Sequence, residues 1–179
     1  RPVLELAAKT LGIIGYGALG REVARLAEAL GMRVLIAESL RPGAAAAVGR
    51  VSLAALCAQS DVISLHCPLD NATEKLVDRD FLRAMKPGAL LINIARGGLV
   101  DEHALKEALL NGHLGGAALD VLATEPPPAD HPLLDPAIPN LLITPHSAWV
   151  SRESRQRLLD GVAANVRAWR LGQPINRVD

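Results

Sequence analysis

The sequence is poor in aromatic residues and cysteines and has no excess charge of either sign. Among its 179 residues are two Trp, one Tyr, one Phe and two Cys, and 19 Lys and Arg balance 19 Asp and Glu. Nucleic-acid-binding domains present a basic surface to phosphates, so the balanced charge argues against that class of partner. Two cysteines cannot hold a small disulfide-rich secreted fold, and they predict an intracellular, cytoplasmic protein.

Long apolar runs and metal-binding spacings are also missing. The apolar stretches, such as Ala89–Ile92, are far shorter than the roughly 20 residues that span a bilayer, so no membrane is expected. No two histidines lie four residues apart on a predicted helix, and the cysteine spacing does not suit zinc, so no metal is expected. The chain begins at Arg1 without a signal segment, and we expect it to be part of a longer protein.

The apolar residues make up half of the chain and alternate between two patterns. Short apolar runs are each followed by a segment of helical periodicity, which predicts βαβ units around a mostly parallel sheet. The predicted fold is a doubly wound α/β domain of three layers. Strands are predicted over 10–14, 33–37, 62–65, 90–94, 116–119 and 141–144, and helices over 22–30, 53–58, 81–85, 101–110 and from 151 to about 171.

Three finer expectations concern packing. The strand 90–94 lacks polar alternation apart from Asn93, which predicts a sheet covered on both faces. The Pro-rich stretch 125–139 predicts a long loop. In the last helix Leu158, Val162, Val166 and Trp169 are spaced as one stripe, which we expect to be buried.

Candidate ligand groups follow every predicted strand. Ligands of open α/β sheets bind beyond the carboxyl ends of the strands, near the point where the strand order switches. Six strands that end in such groups therefore predict one site along a single sheet edge. In chain order the groups are Gly15–Gly20, Glu38, His66-Cys67-Pro68, Ala95–Gly98, Asp120 and Pro145-His146-Ser147.

The pattern Gly15-x-Gly17-x-x-Gly20 follows a strand and opens a helix, which is the context of a dinucleotide-binding turn. Gly15 allows the tight turn, Gly17 lets a pyrophosphate approach the backbone, and Gly20 allows close helix–strand packing. The N–H groups of Ala18 and Leu19 then face the phosphates. The same pattern also occurs by chance and in methyltransferases.

Glu38 is the candidate for choosing the cofactor. It lies at the end of the second predicted strand, where a carboxylate accepts hydrogen bonds from a ribose diol and repels a 2′-phosphate. This favours NAD over NADP. Arg41 lies nearby and could instead pair with a phosphate, so the two residues make opposite predictions.

Three further residues are candidates for catalysis. Arg96 lies in a Gly-flanked turn, and its planar guanidinium matches a carboxylate and an adjacent carbonyl oxygen. His146 is the best acid–base candidate because histidine titrates near neutrality. Glu125 could orient His146 if it folds back from the Pro-rich loop. The other histidines outside the strand-end motifs are expected to be solvated, and Trp149 could equally wall the site or belong to the core; those histidines are His103, His113 and His131.

These residues resemble the D-isomer-specific 2-hydroxyacid dehydrogenases. The family's catalytic arginine, glutamate and histidine correspond to Arg96, Glu125 and His146, and its carboxamide-binding aspartate to Asp120. The run 149–158 looks most like the glycerate dehydrogenase (hydroxypyruvate reductase) branch. The remaining predicted cofactor contacts are Cys67, Pro68, Ile94, Ala95, Ala148 and, again, Arg96 and His146. The matching segments are 11–20, 66–69, 93–98, 120–126 and 144–148.

The resemblance implies a Rossmann domain over 1–179 that binds NAD and transfers a hydride between it and a D-2-hydroxy acid or 2-keto acid. It also implies a homodimer formed through this domain. Family members carry a second, substrate-side lobe whose N-terminal segment is missing here, so the isolated domain is expected to be inactive. Two alternatives remain: a non-catalytic NAD(H)-sensing module, since C-terminal binding protein corepressors resemble the family and keep its triad, and a methyltransferase, which would leave Arg96, Glu125 and His146 unused.

Overall fold

The computed structural model describes residues 4–41 and 49–177, which form two compact units divided between Pro145 and His146. The first unit contains all the strands and four helices, and the second contains one helix. The strands are β1 (Thr10–Ile14), β2 (Arg33–Ala37), β3 (Arg50–Val51), β4 (Val62–Leu65), β5 (Leu90–Asn93), β6 (Gly116–Leu119) and β7 (Leu141–Ile143). The helices are α1 (Ala18–Ala29), α2 (Leu53–Gln59), α3 (Arg79–Ala84), α4 (Glu102–Leu110) and α5 (Arg152–Arg170).

The seven described strands form one sheet in the order β3-β2-β1-β4-β5-β6-β7, and every pair is parallel. The chain builds outward from β1 in one direction and from β4 in the other. The order therefore switches between β1 and β4, which is where an open sheet of this kind leaves a crevice for a ligand. The predicted doubly wound parallel sheet is confirmed.

Helices cover the sheet from two sides, which confirms the three layers. Successive strand residues point to opposite faces, and in β1 the buried Ile13 and Ile14 belong to different apolar clusters. Ile13 packs in the cluster that contains Ala24 and Ala27 of α1. Ile14 packs in the larger cluster, to which α2, α3 and α4 contribute Leu56, Phe81 and Leu105 among others.

Several details differ from the sequence predictions. The two-residue strand β3 was not predicted, because two residues are too few to show a period. Helix α1 begins at Ala18, four residues before the predicted start, so the glycine motif runs directly into it. The prediction that β5 is covered on both faces is wrong at its start: Leu91 is fully buried, but Leu90 on the opposite face is 42% exposed.

The second unit contradicts the prediction of a buried stripe. Helix α5 begins after Ser151, whose side chain accepts a hydrogen bond from the Ser154 amide, and none of its residues is buried. The four stripe residues are 53–72% exposed: Leu158, Val162, Val166 and Trp169. Apolar spacing shows that a helix has an apolar face, but it does not supply the surface that covers the face. No helix within the described ranges is long and apolar enough to cross a membrane.

The Pro-rich stretch forms the predicted long connection between β6 and β7. Its regular structure among the described residues is a single 3-10 turn over Pro132–Leu134. His131 precedes that turn and accepts a hydrogen bond from the Leu133 amide through its side chain. The segment is thus irregular, but a side-chain hydrogen bond stabilises its 3-10 turn.

Candidate functional site

The glycine turn after β1 is packed so tightly that side chains are excluded. Gly15 has a φ of +95°, and a Cβ there would lie 2.4 Å from backbone atoms of His66 and Cys67. A Cβ on Gly20 would lie 2.1 Å from the Gly15 carbonyl oxygen. Both positions therefore require glycine. The turn connects β1 to α1 and packs against the residues that follow β4, at the switch in strand order.

The start of α1 faces open space. Gly17 is the N-cap and makes no side-chain hydrogen bond, and a Cβ placed on it would meet nothing within 4 Å. The first N–H groups of a helix lack intrahelical acceptors and carry the positive end of the helix dipole. Ala18 and Leu19, which provide two of these groups, are exposed. The turn is therefore built to receive an anion such as a phosphate.

A cleft of about 310 Å³ lies beside this turn. Its volume is at the lower end of the range of small-molecule sites. It brings together six of the residues singled out in the sequence, namely Gly15, Gly17, Glu38, His66, Cys67 and Pro68, and also Tyr16 of the glycine turn and the competing Arg41. The cleft is further lined by residues that the sequence did not assign to the site: Ser39, Leu40, Arg50, Asp70 and Thr73.

Two acidic residues, Glu38 and Asp70, and two arginines, Arg41 and Arg50, line the cleft. Glu38 follows β2 directly, is exposed, and donates its backbone N–H to the Val51 carbonyl at 2.9 Å. Arg50 is paired with Ile36 across the β2–β3 ladder, and its guanidinium lies 5.7 Å from the centre of the Tyr16 ring. Arg41 is exposed. Arg50 was missed because it lies on β3, the strand that the sequence pattern did not reveal.

His66 and Cys67, which follow β4 directly, are two uncharged titratable residues of the cleft. Burial lowers the pKa of His66, whose Nε2 lies 2.9 Å from the Ser64 hydroxyl. Its buried Nδ1 has no partner within the part of the chain that the structure describes. Burial also raises the pKa of the Cys67 thiol to about 11, so the thiol stays protonated at neutral pH. These two residues therefore offer uncharged contact surface, and Asp70 adds a carboxylate to the same side of the cleft.

Asn93 organises the turn that carries Arg96. It is 1% exposed, its Oδ1 accepts the Ala95 amide at 3.0 Å, and its Nδ2 donates to the Arg96 carbonyl at 2.8 Å. Its own carbonyl accepts the Asp120 amide at 2.9 Å. Asn93 thus holds the Arg96 turn through its side chain and the end of β6 through its backbone carbonyl. The signal in the sequence was a single polar residue in an otherwise apolar strand.

Arg96 and Asp120 follow these adjacent strands. Arg96 has an extended backbone and an exposed side chain, and its Nη1 donates to the Ala95 carbonyl at 2.7 Å. Asp120 is buried, and its Oδ1 accepts a hydrogen bond from the Thr144 hydroxyl. Thr144, just after β7, was not predicted to be part of the site. Ile94 and Ala95 lie between Asn93 and Arg96 at the same edge.

Glu125 is exposed within the predicted loop, but the loop is tied locally. Its Oε1 accepts the Leu122 amide at 2.8 Å. The Glu125 side chain therefore folds back onto its own turn, toward the end of β6. Leu122 itself is buried in the larger core cluster.

Two histidines that were expected to be solvated are not. His131 has a side chain only 5% exposed, with Nε2 3.1 Å from Glu102 Oε2. His113 is half-buried, with Nε2 2.9 Å from the Leu82 carbonyl. Both contacts join residues about 30 positions apart in the sequence, so local pattern could not reveal them. His103 is exposed, as expected.

The second unit carries His146, Ala148 and Trp149 just before α5. His146 is exposed and has a φ of +51°, a backbone conformation that is uncommon outside glycine. The Ser147 carbonyl accepts the Val150 amide at 3.1 Å. Ala148 is exposed, and Trp149 is 51% exposed, which excludes the core alternative for it.

Taken together, the first unit offers an anion site at α1, a carboxylate at the β2 end, and uncharged His66 and Cys67 followed by the Asp70 carboxylate after β4. This donor set fits the phosphates, the ribose diol and the uncharged rings of a nicotinamide dinucleotide. Across residues 4–41 and 49–177 no group of three or more His, Cys, Asp and Glu side chains could hold a metal ion.

Comparison with known proteins agrees with this geometry. Residues 1–148 match the family model "D-isomer specific 2-hydroxyacid dehydrogenase, NAD binding domain". The chain is 48% identical over 178 residues to a glycerate dehydrogenase of Methylorubrum extorquens, covering 99% of this chain and 55% of that protein. It is 42% identical over 180 residues to a hydroxypyruvate reductase of Blautia hydrogenotrophica, again covering 99% and 55%.

Among solved structures, the TT0316 protein from Thermus thermophilus superposes with a TM-score of 0.85 at 43% identity. The match covers 97% of this chain and 54% of that one. The chain thus spans about half the length of the relatives that it matches. With its parallel sheet, its glycine turn and its strand-end residues, the chain belongs to the D-isomer specific 2-hydroxyacid dehydrogenase family, as an NAD-binding domain of that family.

Proposed function

We propose that this chain is the cofactor-binding domain of an NAD-dependent enzyme that interconverts a 2-keto acid and a D-2-hydroxy acid. The substrate is hydroxypyruvate with glycerate, or the smaller glyoxylate. The observation that carries the proposal is the alignment of the dinucleotide cleft, Arg96 and Asp120 along one edge of a single sheet. The names of the relatives, glycerate dehydrogenase and hydroxypyruvate reductase, favour this substrate class.

The residues along the edge divide the binding of NAD between them. The N–H groups of Ala18 and Leu19 would bind the pyrophosphate, and Glu38 would accept hydrogen bonds from the adenosine ribose. The buried Asp120 carboxylate would accept a hydrogen bond from the nicotinamide carboxamide. The remaining contacts would come from Cys67, Pro68, Ile94, Ala95, Arg96, His146 and Ala148. When bound in its reduced form, the cofactor supplies the hydride for the carbonyl carbon.

Glu38 makes NAD the preferred cofactor, because its carboxylate opposes a 2′-phosphate in the same cleft. Arg41 and Arg50 reduce this preference, since both guanidinium groups line the cleft and would attract such a phosphate.

Arg96 would bind the substrate. Its side chain is exposed. A planar guanidinium can donate to two acceptors at once, which suits a carboxylate and the neighbouring ketone oxygen. The hydrogen bond to the ketone oxygen would polarise the carbonyl. The buried Asn93 side chain holds the Arg96 carbonyl at 2.8 Å, so the backbone that carries this guanidinium is fixed.

His146 would exchange the proton. In the reducing direction the imidazolium donates a proton to the oxygen of the substrate as the new hydroxyl forms. Glu125 would accept a hydrogen bond from the imidazole and favour its charged form. In the oxidising direction neutral His146 takes the proton back.

The complete enzyme needs more than this chain. The relatives are about twice as long, and a second lobe would supply the other wall of the substrate site. Alone, the domain would bind cofactor and turn over little substrate. We further propose that the enzyme is cytoplasmic and forms a homodimer through this domain.

Turnover by the complete polypeptide that contains this chain tests the proposal. Oxidation of NADH by hydroxypyruvate and glyoxylate would be followed at several pH values. We expect His146→Ala to lower kcat by about 10²–10⁴-fold with cofactor affinity near normal. Arg96→Ala should raise KM for the keto acid, with a loss of about 1.5–3 kcal/mol from a charge-assisted contact.

Matched controls are the exposed His103→Ala and Arg33→Ala, which should behave as wild type. Unchanged kcat in His146→Ala would remove that residue from catalysis, and a change confined to cofactor affinity would give Arg96 another role. Tight binding of NADH without turnover in the wild type would instead favour the NAD(H)-sensing module.

A further inference from the structure

One carboxylate holds both ends of the loop that carries Glu125. Glu102, the first residue of α4, accepts the Ala123 amide on Oε1 at 2.9 Å. Its Oε2 lies 3.1 Å from Nε2 of His131, and the two side chains are only 12% and 5% exposed. Ala123 and His131 lie two residues before and six residues after Glu125. Buried charge is retained in proteins when it is paired and hydrogen-bonded, as it is here.

The hydrogen bonds of His131 fix its proton on Nε2. Its Nδ1 accepts the Leu133 amide at 3.3 Å, so this nitrogen carries no proton. Nε2 therefore carries the hydrogen and donates it to Glu102. The imidazole thus connects two separate groups, the Glu102 carboxylate on α4 and the Leu133 amide in the 3-10 turn.

The loop is also in direct contact with the turn of Arg96. A Cβ on Gly97 would lie 1.9 Å from the Leu122 carbonyl carbon, so the two backbones touch with no room for a side chain. The Leu122 amide in turn donates to Glu125 Oε1. A shift of the loop at Ala123 would therefore move Glu125 and press on the residue next to Arg96.

We infer that Glu102 and His131 are positioning residues for the reaction proposed above. They touch neither the cleft nor Arg96, and they act by holding the Ala123–His131 loop so that Glu125 keeps its place. The inference rests on the proposed function, because Glu125 matters only if it orients the proton-transferring His146. A misplacement of about 1 Å in such a group can lower a rate by about 10²-fold.

Two amide substitutions of His131 separate positioning from local structure. In His131→Gln the side-chain nitrogen reaches the place of Nε2 and can still donate to Glu102. In His131→Asn the side-chain oxygen takes the place of Nδ1 and can still accept the Leu133 amide. If His131 only supports the 3-10 turn, Asn is the better replacement. If it serves the loop through Glu102, Gln is the better one.

The experiment measures kcat, KM for both substrates and amide hydrogen exchange at 121–125 in the complete polypeptide. We expect kcat to fall about 10–100-fold in His131→Asn and to be largely restored in His131→Gln, with KM for NADH unchanged. Exchange at Ala123 should be fast in Glu102→Ala. Glu102→Gln serves as a second variant should His131→Asn fail to fold. Its amide has one acceptor oxygen for two donors, the Ala123 N–H and the Nε2–H, so one donor faces an NH2 group and kcat should also fall.

Glu107→Gln is the matched control, because Glu107 lies on the same helix but pairs with Arg79 at the surface. Circular dichroism and NADH affinity establish that each variant is folded. Equal turnover in Asn and Gln variants of an active enzyme, or better turnover in the Asn variant, would overturn this inference alone. An inactive wild type would overturn the proposed function and the positioning role with it.

Discussion

Helices α4 and α5 carry the same local signals and differ in what surrounds them. Each begins after a side-chain N-cap, Asp101 in one and Ser151 in the other, and each has an apolar face. Helix α4 buries four residues in the main core, whereas none of the 19 residues of α5 is buried. The buried residues of α4 are Ala104, Leu105, Ala108 and Leu109.

Periodicity and capping therefore specify a helix, whereas the burial of its apolar face depends on the surfaces that pack against it. Helix α3 and the 3-10 turn Pro132–Leu134 contact α4, and its buried residues join the core cluster that contains Leu91 of β5 and Leu119 of β6. The family match ends at residue 148, just before α5 begins. Helix α4 thus lies inside the region that matches the family model, and α5 lies after it.

The largest difference between the two helices is expected in the free energy of unfolding when one leucine in each is truncated. Leu105 is fully buried and Leu158 is 58% exposed. Leu105→Ala should lower the free energy of unfolding by about 2–5 kcal/mol through lost contacts and a cavity. Leu158→Ala should change it by less than about 0.5 kcal/mol. Urea unfolding of this chain measures both changes in free energy. Similar losses for the two variants would show that α5 is packed as closely as α4.

Thiol reactivity gives a second contrast between buried positions of the first unit and the exposed helix α5. Cys57 in α2 and Cys67 after β4 are both buried. Burial raises the pKa of Cys57 and of Cys67 to about 11, so the fraction of reactive thiolate at pH 8 is small. Alkylation of both should be at least about tenfold slower than that of a cysteine placed on α5 by Ala163→Cys. Mass spectrometry after timed alkylation measures the rates. Equal rates at all three thiols would show that the core around α2 and β4 opens readily.

A smaller, pH-dependent effect is expected at the amino-terminal edge of the sheet. Burial opposes ionisation of Asp61, but hydrogen bonds from Lys86 and the Thr10 amide, with the charges of Lys86 and Lys9, lower its pKa. A lowered pKa in the folded state stabilises the fold above the ordinary value of 3.8, and this stability is lost as the pH falls through the folded-state pKa.

Asp61→Asn should therefore be less stable than wild type at pH 6, and the difference should shrink as the pH falls below 3.8. Thermal unfolding at a series of pH values provides the test. Glu28→Gln, an exposed change on α1, is the control. A difference that grows on acidification would mean that the Asp61 carboxylate does not stabilise the fold in its ionised form.

Much of the first unit could be predicted because its signals are local. The run 10–20 contains a strand, a glycine turn and a helix start in sequence. Gly15 and Gly20 have the close backbone contacts that the motif implied, and the space beside Gly17 is open. Strand β2 and the strand before His66 were predicted to the residue, since apolar runs between polar ends define their limits. The edge on which the polar residues lie follows from the parallel order.

What could not be predicted depends on distant residues. His131 is buried because Glu102, 29 positions earlier, offers a carboxylate to its Nε2. Arg50 reaches the cleft because β3 pairs with β2. A strand of two residues is too short to be predicted from its sequence pattern. The stripe of α5 was assigned to a core because its spacing is that of a core helix. In each case the missing information was the identity of a partner.

We propose that the cleft beside α1 is a preformed NAD site in which Glu38 selects the cofactor. Calorimetric titration of this chain with NADH and with NADPH, in the wild type and in Glu38→Gln, measures that preference. We expect saturable NADH binding that is tighter than NADPH binding, and the ratio of the two dissociation constants should narrow or reverse in Glu38→Gln. Binding of neither cofactor by the wild type would show that the site is not preformed, and tighter binding of NADPH would show that Glu38 does not select NAD.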